Sequence, residues 1–242
     1  MYEDFAEIYD LLMDDVDYPA WAAHYLALAG RGGKLTICEC GCGTASMAVE
    51  WARAGNRVIG IDQSEEMLAV AARKARGLPI TLVKQDMRKL ALHRPVDAVF
   101  APCDAVNYLT ELRDVRAFFA AAYAQIAPGG VLAFDISTRY KLESVMGNGF
   151  FGEDRGEVAY LWQNAWDSDR QVLEMDLTFF VREDGGLYRR FDERHVQRAH
   201  EAEELADCLA EVRYEDVRVH GERTFEPPER DAQRVHFVAR RA

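Results

Sequence analysis

The chain has 242 residues, 49% hydrophobic and 11% aromatic, enough to bury one sizeable α/β core and too apolar for a disordered tail. Its 41 acidic residues outnumber the 29 basic ones and give a formal charge of -12, which repels phosphate backbones and argues against broad nucleic-acid binding. No apolar run approaches the ~18 residues of a membrane helix, the opening MYEDFAEIYD is too acidic for a signal peptide, and five cysteines without framework spacing fit a reducing cytoplasm.

Over the first thirty residues, Phe5, Ile8, Tyr9 and Leu12 recur near the helical period, and Pro19 can open a second helix through Trp21, Tyr25 and Leu28. A regular alternation follows. KLTICEC reads as a strand, and ASMAVEWARAG as a helix closed by Gly55. RVIGID is a strand, and SEEMLAVAARKAR a helix with Ser64 as N-cap that ends at Gly77. ITLVKQD and VDAVFA are strands, ELRDVRAFFAAAYAQIA is a helix stopped by Pro128-Gly129-Gly130, and VLAFDI is a strand. Strands alternating with helices mean a mostly parallel sheet covered on both faces.

The alternation breaks after Ser137. Residues from about 157 to 199 read as three β segments joined by turns at Asp167-Ser168-Asp169 and Asp184-Gly185-Gly186. They are expected to form an antiparallel sheet over 139–199, inserted into a domain made of 1–138 and 200–242. A last helix, EAEELADCLAEV, leads to EDVRVHGE and RVHFVARR, which would close the main sheet as a hairpin.

Ligands of such sheets sit beyond the carboxyl ends of the strands. Cys40–Gly43, Asp62, Asp86 and the loop 102–108, with Asp104, Asn107 and Tyr108, all fall there. The stretch CECGCGT admits two readings. Cys38 and Cys40 lie on one face of a strand, and no second cysteine pair or histidine pair stands at metal-ligand spacing, so packing is expected and a metal is not. Gly41 and Gly43, with Cys42 between them, instead let a ligand approach the backbone ahead of a helix with free amides. Asp62 ends the next strand about twenty residues on, where a carboxylate can hold both ribose hydroxyls. It could alternatively cap the following helix, a task Ser64 fits better.

A nicotinamide dinucleotide would use similar parts. Glu39 before the turn would meet its pyrophosphate, and position 46 is Ser rather than the third glycine. A phosphate-free cofactor with an amino group and a sulfonium suits Glu39. Farther on, alternation in FDERHVQRAH puts Glu193, His195 and Gln197 on one face, and Asp192, Arg194, Val196 and Arg198 on the other. His195 is the candidate base or substrate contact, with an exposed polar sheet face as the alternative.

ICECGCGTAS resembles motif I of the class I S-adenosylmethionine-dependent methyltransferases, with Ala45 where their last glycine usually stands. VIGIDQSEEML, VKQDMRKL, VDAVFAPCDAVNYL and IAPGGVLAFDI are similar to their second to fifth strands, and the opening helices with DERHVQRAH resemble small bacterial members of poorly defined substrate. The resemblance implies a Rossmann-like fold with a seven-stranded sheet, an N-terminal helical cap and a small β insertion. It implies S-adenosyl-L-methionine as cofactor, its methionine part over Gly41, Cys42 and Gly43 and oriented by Glu39. Asp62 would take the ribose, Gln63 or Met67 would flank the adenine, and Asp86 would meet the adenine amino group under Met87. Cys103 would line the other side, and Tyr9 and Trp21 would come over from the N-terminal helices unless they only pack there. The expected activity is methyl transfer to an N or O nucleophile of a small molecule, with Asp104, Asn107, Tyr108 and Arg198 toward the substrate. The alternative is a macromolecular acceptor, tRNA or protein, whose warrant would be a basic face of Arg182, Arg189, Arg190, Arg194 and Arg198.

Overall fold

A computed structural model describes residues 2–242, with side chains from residue 5. Local chemistry sets the element ends. Helix α1 (Tyr2–Leu12) runs to a turn before α2 (Tyr18–Ala29), where the Asp17 carboxylate accepts the Ala20 N–H at 3.0 Å and Pro19 fills the first turn. Strand β1 (Thr36–Cys40) leads to α3 (Ser46–Arg53), and β2 (Arg57–Asp62) to α4 (Glu65–Lys74), which Ser64 caps by accepting the Met67 N–H at 3.0 Å. Then come β3 (Ile80–Lys84), β4 (Val96–Ala101), α5 (Leu112–Gln125) and β5 (Ile126–Ser137). Val96 pairs with Ile126 but Ala98 pairs with Val131, so Pro128-Gly129-Gly130 is a bulge within β5 rather than a turn before it. A Cβ on Gly130 would stand 2.6 Å from the Asp97 carbonyl, so no other residue fits this bulge.

After a π-helical turn at Tyr140–Met146, the chain makes β6 (Phe150–Asp154), β7 (Val158–Asp167), β8 (Val172–Arg182) and β9 (Tyr188–Arg198). These form an antiparallel sheet in the order β6-β7-β8-β9. Three segments were expected and four are present. β6 escapes a periodicity reading because all five of its residues are exposed and no alternation of apolar and polar faces marks it. Helix α6 (Ala202–Glu211), with a capping box between Glu201 and Glu204, returns the chain to β10 (Tyr214–Gly221) and β11 (Arg234–Arg241). The main sheet has the order β10-β11-β5-β4-β1-β2-β3, parallel from β3 to β5, with β11 antiparallel to both neighbours.

Both faces of the main sheet are aromatic. Phe118, Phe119, Phe134 and Phe237 fill the side under α5 and α6, with Phe134 stacked on Phe237 at 4.8 Å. Tyr25, Trp51 and Phe100 fill the side under α2 and α3, where the buried Trp51 indole N–H donates to the Ala22 carbonyl at 3.0 Å. Helix α1 lies between the two sheets, its Phe5 and Ile8 packed on Met67 and Val70 of α4 and on Val158 and Phe179 of the inserted sheet. It thereby roofs the carboxyl ends of the parallel strands. No described helix is long and apolar enough to cross a membrane.

His236 on β11 is fully buried against His24, Trp21 and Tyr25, and neither ring nitrogen has a hydrogen-bond partner among the described residues. Burial pushes its pKa down to about 4. The unfolded chain takes up a proton near pH 6.5 that the folded chain refuses, so stability is full above pH 6.5 and declines as pH falls toward 4. The span of roughly 2.5 units caps the loss at about 3 kcal/mol. Thermal unfolding across this range is expected to show a shallower decline for His236→Phe than for the wild type. Parallel declines would contradict this assignment.

Candidate active site

At the end of β1 the chain turns through Gly41, Gly43 and Ala45, all in the left-handed region at φ 69°, 52° and 64°. Glycine takes that conformation freely, whereas alanine strains by about 1–2 kcal/mol. Ala45 nevertheless keeps the turn of the glycine it replaces. Its methyl group is fully buried in the α2–α3 cluster, which offsets part of the strain. Cys42 donates its N–H to the Ile61 carbonyl at 2.9 Å, and a Cβ on Gly60 would stand only 3.0 Å from the Cys42 thiol. Cys38, Cys40 and Cys42 are all buried, and no described cluster of ligating side chains could hold a metal.

Asp62 fastens this loop. One carboxylate oxygen accepts the Gly43 N–H at 2.8 Å and the other the Ser64 N–H at 2.9 Å. Each oxygen keeps a lone pair for a hydroxyl group. Glu39, 2% exposed, sits beneath the turn, and its Oε2 has no hydrogen-bond partner among the described residues. Burial drives its pKa well above the carboxylate range, partly countered by the Ala48 N–H in the first turn of α3. A buried acid with an open oxygen beside a glycine turn, and a half-buried carboxylate at the end of the next strand with lone pairs to spare, fit a ligand carrying an ammonium and a pair of hydroxyl groups.

Asp86 caps the turn after β3 and is gripped by Arg88, whose Nη2 lies 2.6 Å away and which also donates to Asp114 at 2.9 Å. Hydrogen bonding to Arg88 holds the Asp86 pKa below the usual range. Met87 is buried in the main core, Gln63 is exposed, and Met67 is buried under α1. Trp21 stacks near Tyr25 and lies under the Arg234 guanidinium at 5.2 Å, within the α2–sheet packing.

The loop after β4 forms the opposite wall. Cys103 and Asp104 are both left-handed, at φ 56° and 53°, and their N–H groups donate to the fully buried Asp135 at 2.8 and 2.9 Å. The Asp104 carboxylate accepts from Ser137 at 2.7 Å. Asn107 is a strut: both amide protons go to backbone carbonyls, of Ser137 at 2.9 Å and Arg198 at 2.8 Å, and its oxygen accepts the Ser137 N–H. Arg198 itself turns away to Glu204 at 3.0 Å and to His200. Tyr108 bridges to the inserted sheet, its hydroxyl 3.3 Å from His195 Nδ1, and the Phe5 ring packs on the same imidazole at 5.5 Å. Glu193 and Gln197 share the inward face with His195 and are buried. Burial lowers the His195 pKa, so the imidazole is neutral at neutral pH. Tyr9 lies near Cys103, Asp104 and Tyr108, and burial raises its hydroxyl pKa.

Tyr18, Asp10, Thr44 and Asp135 were not among the sequence candidates. Tyr18 follows an N-cap and carries no motif, yet its hydroxyl reaches Ser46 beside the glycine turn. Asp10 on α1 accepts from Thr44 at 2.6 Å and pairs with Lys74 at 2.6 Å, pinning the roof helix to the turn. Asp10→Ala is expected to cost about 1 kcal/mol, since the carboxylate is 40% exposed. Hydrogen exchange should show faster α1 amides with α2 unchanged; equal protection would remove the latch role.

A methyltransferase domain model matches residues 37–130. A methyltransferase homologue from Geobacillus sp. (strain WCH70) is 36% identical, covering 99% of each chain. A solved S-adenosylmethionine-dependent methyltransferase from Clostridium acetobutylicum ATCC 824 is 30% identical over 100% of this chain and 99% of its own, with a TM-score of 0.88. An amino pentose methyltransferase from Micromonospora echinaspora, solved with S-adenosylmethionine, is 23% identical over 97% of both chains at a TM-score of 0.77. The seven-stranded, mostly parallel sheet flanked by helices agrees with these likenesses in fold. The chain belongs to the class I S-adenosylmethionine-dependent methyltransferases.

Proposed function

We propose that the acceptor is a small molecule, methylated at a nitrogen or oxygen in the space between the β4 loop, α1 and the inserted sheet. The observation that carries this reading is the pairing of the insertion's arginines. Arg182 lies 3.6 Å from Glu157, Arg189 3.0 Å from Glu183, Arg190 2.8 Å from Asp192, Arg194 2.5 Å from Glu174, and Arg198 3.0 Å from Glu204. A face of neutralised arginines on a chain of charge -12 offers little to a polyanion such as tRNA. The Tyr108–His195 bridge and the Phe5 contact narrow the approach further, which suits a compact acceptor.

The cofactor supplies a methyl group already activated on a sulfonium, so the chain's task is alignment and exclusion of water. Glu39 would pair with the ammonium and Asp62 with the ribose hydroxyls. Asp86, expected at the adenine amino group, already accepts two contacts on each oxygen from Arg88 and could serve there only by giving one up. Tyr108 and the neutral His195 would hold the acceptor, and His195 can take its proton where the nucleophile carries one. The fold shared with an amino pentose methyltransferase makes amino sugars and related amines the first compounds to try. S-adenosylhomocysteine release is to be followed with neutral and cationic metabolites, and separately with tRNA and protein. Turnover with a metabolite supports the reading; turnover with macromolecules alone overturns it.

A further inference from the structure

Asp135, near the end of β5, is fully buried yet accepts from four groups: Tyr25 Oη at 2.6 Å, the Cys103 N–H at 2.8 Å, the Asp104 N–H at 2.9 Å, and the Arg234 guanidinium. Two of these donors belong to consecutive non-glycine residues that both adopt the left-handed conformation. Such a pair is unfavourable by itself and persists only where the surroundings over-determine it. Here the two amides converge on one carboxylate, and Arg234 extends the lock by reaching Asp104 at 3.5 Å. The same loop carries Asp104, the Asn107 strut and Tyr108, which touches His195. Asp135 touches none of the space an acceptor would fill. It acts through the backbone of the residues that do.

We infer that Asp135 is the positioning residue of the acceptor-side wall: its carboxylate holds Cys103 and Asp104 in a conformation they would not otherwise keep. The inference rests on the β4 loop being that wall, as proposed above. Asp135→Asn preserves the shape but replaces one accepting oxygen with an amide that cannot receive an N–H. Cys103 reports on the loop, because the other four cysteines are buried. Beyond burial, the Asp135 charge also raises the Cys103 thiol pKa, so rates are compared per thiolate from full pH–rate profiles. On that basis maleimide labelling of Cys103 in Asp135→Asn is expected to accelerate by about tenfold or more while unfolding remains cooperative. Tyr25→Phe, which leaves both loop amides on the carboxylate, should change the rate by less than about threefold. An unchanged rate in folded Asp135→Asn, or an equal rise in Tyr25→Phe, would overturn the inference.

A second variant guards against simple misfolding. Glycine takes a positive φ without strain, so Cys103→Gly should raise Tm more in the Asp135→Asn background than in the wild type. If Asp135→Asn alone does not fold, the double variant should. An equal Tm shift in both backgrounds, or an unfolded double variant, would overturn the positioning role. With an acceptor in hand, Asp135→Asn should lower kcat/KM by about a hundredfold, well beyond any rise in the Kd for S-adenosylhomocysteine that loosening Cys103 brings. A Kd rise as large as the kcat/KM loss would place the effect on the cofactor side instead. A wild type that binds no S-adenosylhomocysteine would defeat the functional reading, and the labelling result would still stand or fall separately.

Discussion

Asp62→Ala is expected to weaken S-adenosylhomocysteine binding by about a hundredfold to a thousandfold. Both carboxylate oxygens already hold the loop, through Gly43 at 2.8 Å and Ser64 at 2.9 Å, so their remaining lone pairs are fixed in direction. Two hydrogen bonds from ribose hydroxyls to a charged acceptor are worth about 1.5–3 kcal/mol each. Their joint loss of about 3–4 kcal/mol, at the lower end of that range, corresponds to two to three orders of magnitude in Kd. The alanine also frees the Gly43 amide, which loosens the turn under the methionine part. Asp62→Asn keeps the shape but removes the charge, and its loss should fall between wild type and alanine. Isothermal titration decides: an alanine variant within about threefold of wild type would mean that Asp62 only shapes the loop.

Glu39→Gln should move stability and binding in opposite directions. In the protein alone Glu39 is buried with Oε2 unpartnered among the described residues, and burial raises its pKa well above the carboxylate range. A raised folded-state pKa means that its stability contribution is full below the unfolded value of about 4.5 and is lost as pH rises through the folded value. Glutamine removes that penalty, so the variant without cofactor should have the higher Tm at pH 8. A bound ammonium reverses the sign, because it needs the carboxylate. Removing one member of such a buried pair costs about 2–5 kcal/mol, so Kd should rise by about 30-fold or more. Wild-type affinity should also climb as pH rises toward the raised pKa of Glu39 in the free protein and level off above it, whereas the glutamine variant should be flat until other groups titrate. A variant with lower Tm and unchanged Kd would show that Glu39 supports the fold and meets no ammonium.

Much of this was legible in the sequence because the relevant residues lie where periodicity changes. Gly41, Gly43 and Asp62 follow strand ends that apolar runs and turn residues announce, and Ser64 announces its helix. The inward trio Glu193, His195 and Gln197 followed from strict alternation in β9. What escaped had no local signature. Strand β6 is exposed on every residue and carries no alternation. Asp10, Tyr18 and Asp135 gain their meaning from partners far along the chain: Asp135 meets Tyr25 and Arg234 only because β5 lies between β4 and β11 under α2. The arginines of the insertion read as a basic face in one dimension and prove to be ion pairs in three. Asn107, a polar residue in a site loop, turns out to have both amide protons committed to backbone carbonyls.

Methyl-labelled S-adenosylmethionine, incubated with the protein and a size-fractionated cell extract, puts the central claim to its most direct test. Label should pass into compounds below about 1 kDa with matching release of S-adenosylhomocysteine, and Asp62→Ala should abolish the transfer. Label found only in RNA or protein would contradict a small-molecule acceptor, and transfer undiminished in Asp62→Ala would contradict the cofactor site itself.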